Sequence, residues 1–241
     1  ALGGKKGGTI VTDSVTSDGL KKYINEYLGG VHYRYRRGYK NVINKAIELC
    51  DQGTYCPLAI ETSGHAALKE NYFLDDGAYL ATKIIIELAK GTNIKALLST
   101  LEMPIEEEEH RFNILAQDFR AYGEGVIASL EKFANEKAGY IIADDNREGI
   151  RVFLDQDHGD GWFLLRLSVH DPVMPMNFES NVSGGIDKDI AQIKHYRRVG
   201  QSSARFPLRN SFRTNSKKVS HLFLSQIFFF SQATKKLTKF K

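Results

Sequence analysis

The sequence predicts an α/β unit with a parallel or mostly parallel sheet covered by helices, followed by a smaller α+β unit with an antiparallel sheet. Two observations carry this. Between residues 9 and 101, short β-branched or apolar runs alternate with amphipathic segments of helical spacing. After Met103 and Pro104 the rhythm changes, and one long helical segment leads into three apolar runs joined by turn residues. A length of 241 residues allows one or two domains with a substantial core.

The elements follow in order. GGTIVTDSV (7–15) reads as a β-branched strand after a glycine turn. In TSDGLKKYINEYLGG, any of Thr16, Ser17 or Asp18 can cap a helix that carries Leu20, Ile24, Tyr27 and Leu28 on one face and stops at Gly29. VHYRYR (31–36) is a short strand, and GYKNVINKAIELCDQG (38–53) a helix with Val42, Ile43, Ala46, Ile47 and Cys50 at helical spacing. PLAIET (57–62) is a buried strand. DDGAYLATKIIIELAKG (75–91) starts with carboxylates and ends on glycine, as a helix does, and NIKALLSTL (93–101) is a shorter helix. In the second unit, IEEEEHRFNI (105–114) is a strand with a solvated acidic face. DFRAYGEGVIASLEKFANEKAG (118–139) is a helix with Val126, Ile127, Leu130 and Phe133 inward. GIRVFLD (149–155), GWFLLRLSV (161–169) and PMNFES (175–180) are strands, and IDKDIAQIKHY (186–196) is the last helix.

Composition narrows the function. Hydrophobic content of 42% and charged content of 26% are ordinary for a soluble protein. No apolar run approaches the roughly 18 residues of a membrane span, and ALGGKKGG lacks the apolar stretch of a signal peptide. A cytoplasmic location without a membrane partner is expected. Cys50 and Cys56 have neither a metal-binding spacing nor a second pair, and read as reduced thiols. The net charge of +4 hides an asymmetry. Residues 194–241 hold 12 of the 33 basic residues and none of the 29 acidic ones, so residues 1–193 carry 21 basic against 29 acidic, a net of −8. A nucleic-acid partner is therefore not expected of the acidic body. GGKKGG (3–8) lacks the Gly-Lys-Ser/Thr of a P-loop. DQDHGDG (155–161) fails as a calcium loop, since Arg166 stands where a glutamate is needed, and reads as a hairpin turn.

One segment stands out, IETSGHAALKENYFLDDGAYLATK (60–83). Glu61, Ser63 and His65 bracket Gly64 where a buried strand ends, and α/β proteins keep their ligands at such ends. A carboxylate and a serine hydroxyl suit sugar hydroxyls, and glycine lets a ring approach the backbone. Lys40 opens a helix after Gly38, where a cation opposes the helix dipole unless an anion lies near. Arg166, Ser168 and His170 in LRLSVHDP, stiffened by Pro172, suit a phosphate: arginine offers a two-pronged donor and serine a hydroxyl.

The stretches TIVTDSVTSDGL, GYKNVINKAIEL, LAIETSGHAALKENYFLDDGAYLA and GWFLLRLSVHDPVMPMN occur in that order. Together they resemble the α-D-phosphohexomutases, specifically the bacterial phosphomannomutase/phosphoglucomutase branch, over residues 7–193. The resemblance implies that residues 1–103 are that family's third domain, with a mixed, mostly parallel sheet and helices on both faces. Residues 104–194 would be the α+β fourth domain. Residues 195–241, with no carboxylates and no clear period, read on composition alone as a disordered basic tail or as read-through after a frame disruption. The resemblance further implies Glu61, Ser63, His65 and Lys40 as sugar-binding residues and Arg166, Ser168 and His170 as phosphate-binding residues. The family moves a phosphoryl group between the 1- and 6-positions of a hexose through a phosphoserine, with Mg²⁺ and a hexose bisphosphate activator. Neither a T-x-S-H-N-like serine loop nor a D-G-D-G-D-R magnesium loop occurs in this sequence. The chain is thus expected to bind hexose phosphate without catalytic residues or a metal site of its own. The alternative is a non-catalytic or complementing module that needs a separate N-terminal half.

Overall fold

The computed structural model of the chain describes residues 7–199. Two sheets organise it. The first has four strands in the order β2-β1-β3-β4, namely Val31–Arg34, Thr9–Thr12, Leu58–Ile60 and Ala66–Leu68. β1 pairs in parallel with both β2 and β3, while β4 returns antiparallel beside β3. The sheet is thus mixed and mostly parallel.

Alternation along β1 decides what covers each face. Ile10 points with Leu58 and Leu68 towards Ile24, Leu20 and Leu28 of the segment after β1, and towards Tyr79 and Leu80 of α3 (Gly77–Ala89). Val11 and Ala59 point the other way, onto Val42 and Ala46 of α2 (Tyr39–Asp51). Helices therefore lie on both faces. The first helix begins as α1 (Asp18–Lys22), capped by the Ser17 side chain accepting from the Gly19 N–H, and widens into a π-type turn over Tyr23–Tyr27. The helix expected over 93–101 is a single turn, α4 (Ile94–Leu97).

The second sheet has five antiparallel strands in the order β5-β9-β8-β7-β6: Glu106–Asn113, Val173–Ser180, Gly161–Leu165, Ile150–Leu154 and Tyr140–Ile142. One face carries Val152, Phe163, Leu165, Met176 and Phe178. These pack against Val126, Leu130 and Phe133 of α5 (Phe119–Glu136) and Ile186 of α6 (Gly185–Val199). The opposite face carries Arg151, Trp162, Leu164, Asn177 and Glu179 and meets the first unit. Arg151 is 1% exposed, its Nη1 donates to the Ser14 carbonyl at 3.1 Å and its guanidinium lies 3.5 Å from the centroid of the Trp162 ring. Arg34, at the end of β2, donates to Asp145 at 2.5 Å and to Asp18 at 2.8 Å. Trp162 Nε1 donates to Glu179 at 2.7 Å. A buried, charge-rich joint thus fixes one unit on the other.

Several elements differ from expectation. β4, β6 and the single turns at Lys69–Asn71 and Gln156–His158 were not foreseen. The strand expected through residue 169 ends at Leu165, because the chain turns over 168–171, where the Asp171 N–H donates to Ser168 Oγ. The acidic face of β5 is half-buried instead of solvated, since Glu106 accepts from the N–H groups of Gly184 and Ile186 and so holds the start of α6. α6 runs to Val199, past the expected tail boundary at 195, and the rest of that tail lies outside the described residues. No described helix is long and apolar enough to cross a membrane.

Candidate functional site

The site forms where β1, β2 and β3 end together. Three segments leave the sheet here: 13–17 after β1, 35–38 after β2, and 61–65, which joins β3 to β4. The last is a tight hairpin turn, with the Glu61 N–H donating to the His65 carbonyl at 2.9 Å and the Gly64 N–H to the Glu61 carbonyl at 2.9 Å. Gly64 has φ +96, a conformation that side chains resist, which accounts for a glycine at the centre of this motif.

Glu61 is 6% exposed, and its carboxylate organises the loops around it. One oxygen accepts from the Gly38 N–H at 2.5 Å and the other from Ser63 Oγ at 2.9 Å. A carboxylate has about four lone-pair positions, so each oxygen retains acceptor capacity for a ligand hydroxyl. Ser63 and His65 are exposed. His65 Nδ1 donates to Asp75 at 2.7 Å while its ring stacks on Tyr39, centroids 4.9 Å apart. Lys40 Nζ lies 5.9 Å from the Tyr39 ring centroid. The four residues named for the sugar, Glu61, Ser63, His65 and Lys40, are therefore assembled around one turn, with Tyr39 as the piece between them.

Behind this turn sits Asp13, wholly buried, accepting from Thr16 Oγ1 at 2.9 Å and Thr62 Oγ1 at 2.8 Å. Burial raises its pKa, with the two hydroxyl bonds and the Arg37 charge opposing and Glu61 adding to the rise.

The second unit contributes through two segments. Glu148 accepts from Ser14 Oγ at 2.6 Å and from the Arg37 N–H at 3.1 Å. The next residue, Gly149, has φ +57 and packs so tightly on β8 that a Cβ there would lie 2.8 Å from the Arg166 Cα. Arg166 is thereby placed beside the Arg37 turn. Burial, and after it the positive charge of Arg37, lower its pKa, with Glu148 and Glu109 opposing. Its Nε is buried and meets no acceptor among the described residues. Ser168 bonds within its own loop, donating its N–H to the Val173 carbonyl at 2.9 Å and accepting at Oγ from the Asp171 N–H at 3.3 Å. His170 is exposed on the same loop. Of the three residues named for phosphate, Arg166 is thus brought to the sugar-side turn, and Ser168 and His170 stand further along its loop.

Sequence reading missed Asp13, Ser14, Arg37, Tyr39 and Glu148. Arg37 and Tyr39 flank Gly38 beside Lys40, and that adjacency is the signal the sequence offers. Glu148 carried none, since its partners are more than 100 residues away in sequence.

Residues 1–104 match the sequence pattern of a family described as phosphoglucomutase/phosphomannomutase, alpha/beta/alpha domain III. A phosphomannomutase/phosphoglucomutase of Pseudomonas syringae pv. tomato is 30% identical over 184 residues, covering 76% of this chain and 36% of that protein. A phosphoglucomutase of Neisseria meningitidis is 29% identical over 190 residues, covering 78% of this chain and 38% of its own length. Among solved structures, a phosphoglucomutase/phosphomannomutase family protein from Burkholderia thailandensis superposes with a TM-score of 0.63 at 24% identity, over 86% of this chain and 40% of that one. An N-acetylphosphoglucosamine mutase of Aspergillus fumigatus, in complex with GlcNAc-6P and magnesium, superposes with a TM-score of 0.50 at 12% identity, over 78% of this chain and 40% of that one. The chain therefore spans well under half the length of the relatives it matches.

Proposed function

The chain belongs to the phosphoglucomutase/phosphomannomutase family of phosphohexomutases, and from that premise we propose that it is the ligand-reading part of such an enzyme. In this reading Glu61 and Ser63 accept and donate hydrogen bonds to hexose hydroxyls. His65 and Lys40 line the same turn. Arg166, Ser168 and His170 hold the phosphate that is not reacting. The observation that supports it most directly is the adjacency of Arg166 to the turn that Glu61 anchors, a link made through Glu148 and Gly149. Transfer between two ends of a hexose needs the sugar gripped in either orientation and the idle phosphate held still. Residues 1–103 and 104–194 then act as the third and fourth domains of the family.

The reaction would interconvert hexose 1-phosphate and 6-phosphate through a phosphoserine, and this chain has no counterpart of that serine loop. Without the covalent carrier the path itself is missing, whatever the remaining groups stabilise. Among the described residues no three His, Cys, Asp or Glu side chains converge on one position, so the family's Mg²⁺ is given no residues in this reading. No step here is routed through it. A hexose bisphosphate activator would meet this chain only at the sugar and phosphate loops.

The test is turnover of glucose 1-phosphate or mannose 1-phosphate by the purified chain, with Mg²⁺ and a bisphosphate primer, read as 6-phosphate formed. The expected result is no turnover. Robust turnover would mean that this chain carries a phosphoryl donor of its own.

A second reading, a module that complements a separate N-terminal half, draws support from α3. None of its 13 residues is buried, and Ile85 and Ile86 are 46% and 47% exposed. Activity recovered on co-expression with such a half would support it. Continued inactivity with a soluble, folded half would count against it.

A further inference from the structure

We propose that Arg37 joins Arg166 in a two-guanidinium clamp on the phosphate of the bound sugar phosphate, one arginine from each unit. The inference rests on the reading of the 166–172 loop as a phosphate site and adds to it a residue from the other side of the joint.

Three observations carry it. First, the Arg37 guanidinium is poorly used within the protein. Its Nη1 stands 4.0 Å from Glu109, at the outer limit of an ion pair, and that carboxylate is already engaged by Arg111 at 2.7 Å and Asn177 at 3.1 Å. The neighbouring Arg36 differs, since its Nε donates to the Arg147 carbonyl at 3.2 Å.

Second, the position of Arg37 is fixed from behind. Its N–H is held by Glu148, and Glu148 precedes the glycine that packs on Arg166. The register of the second sheet leads to the same place. Glu109 pairs with Asn177 and Asn177 with Leu164, while Arg111 pairs with Pro175, whose carbonyl accepts from the Arg166 N–H at 3.1 Å. Alternate residues share a face, so Glu109, Asn177 and Arg166 lie on the side that meets the first unit.

Third, both arginines are half-buried, and Arg37 is the strongest like charge acting on Arg166, so the two guanidinium groups repel. Arg166 also keeps a buried Nε donor without an acceptor among the described residues. A phosphate dianion between the two relieves the repulsion and supplies acceptors to both, in the planar geometry for which arginine is suited. Neither group is asked to transfer a proton; both position and neutralise.

The experiment is calorimetric titration of the full chain with glucose 6-phosphate and, separately, with inorganic phosphate, for the parent chain, Arg37→Ala, Arg37→Lys, Arg166→Ala and Arg36→Ala. Thermal unfolding of each checks the fold. The clamp predicts at least tenfold weaker binding of both probes in Arg37→Ala, partial recovery in Arg37→Lys, and an affinity within twofold of the parent in Arg36→Ala. Loss in Arg166→Ala with parent-like binding in Arg37→Ala would overturn the clamp and leave the phosphate loop standing. Unchanged binding in both alanine variants, or no binding of either probe by the parent chain, would overturn the phosphate loop and the clamp together.

Discussion

The Ser14 hydroxyl donates to Glu148 across the joint at 2.6 Å, although 134 residues separate the two in sequence. The same carboxylate oxygen takes the Arg37 N–H at 3.1 Å, so one side chain of the second unit holds two loops of the first. Replacing Glu148 with alanine strands the hydroxyl of Ser14, which is 4% exposed. The expected cost is about 1–3 kcal/mol, the usual range for leaving a buried polar group unpaired. Urea unfolding of Glu148→Ala and Glu148→Gln measures it. The glutamine variant keeps an acceptor oxygen and should lose less.

Arg151 is the largest wholly buried polar side chain of the joint. It packs on Trp162, donates to the carbonyls of Ser14 and Thr16, and faces Asp18 at 3.3 Å. Burial, and then the nearby Arg34, hold its pKa down to about 10, which leaves it charged at neutral pH. Arg151→Ala leaves the buried Ser14 carbonyl without its donor and opens a void against the Trp162 ring, and should cost about 3–5 kcal/mol, the range for removing a large, well-packed buried side chain. Arg151→Lys should recover only a small part, because an ammonium lacks the flat guanidinium that lies on the indole face while its separate N–H groups reach the Ser14 and Thr16 carbonyls. Thermal and denaturant unfolding of both variants check this.

Gly149 predicts a coupled loss of stability and binding. Its φ of +57 and a carbonyl oxygen, that of Leu165, only 2.1 Å from the Cβ position leave no space for alanine. In Gly149→Ala the strand edge must shift, and Arg166 shifts with it. The expected result is a lower unfolding midpoint together with weaker glucose 6-phosphate binding, whereas Gly53→Ala, where the Cβ position is open, should leave binding intact despite its φ of +88.

Asp189 supplies a pH dependence. It is wholly buried near the start of α6, with neither oxygen hydrogen-bonded among the described residues, and burial pushes its pKa up to about 8 against a slight opposing effect of Lys188. The folded chain then keeps a proton that the unfolded chain releases between pH 3.8 and about 8. Stability at this site therefore falls as pH rises through that window, by up to about 1.4 kcal/mol per pH unit. Asp189→Asn cannot release the proton. The difference in unfolding free energy between variant and parent should move in favour of the variant between pH 5 and pH 8.5. A difference that stays constant across that range would contradict the assignment.

Much of this fold is legible in the sequence, because period and punctuation agree with packing. α2 and α5 follow from apolar residues at helical spacing, and β1 and β3 from β-branched and apolar runs. What stayed hidden is long-range. β4, Ala66–Leu68, is three small or apolar residues whose strand character comes only from pairing with β3. Trp162 to Leu165 reads as continuously apolar because the strand is covered on both faces, and nothing local says that Trp162 and Leu164 meet the first unit while Phe163 and Leu165 meet α5 and α6. Arg151 looks like a solvent-facing residue of an alternating strand, and its burial depends on a loop more than 130 residues earlier. The candidate site divides the same way. The Glu61–His65 turn is local and readable, whereas the Glu148 link and the contact of Asp13 with Thr62 depend on tertiary packing.

In the proposed reading, both units contact one sugar phosphate. Calorimetric titration of glucose 1-phosphate into the purified chain and into Glu61→Ala, Ser63→Ala and Arg166→Ala tests it most directly, with Ser63, exposed on its loop, as the variant least able to disturb the fold. The expected result is weak binding by the parent chain, weaker binding in Ser63→Ala, and loss in both Glu61→Ala and Arg166→Ala. Binding equal to the parent in Ser63→Ala and Arg166→Ala would contradict it.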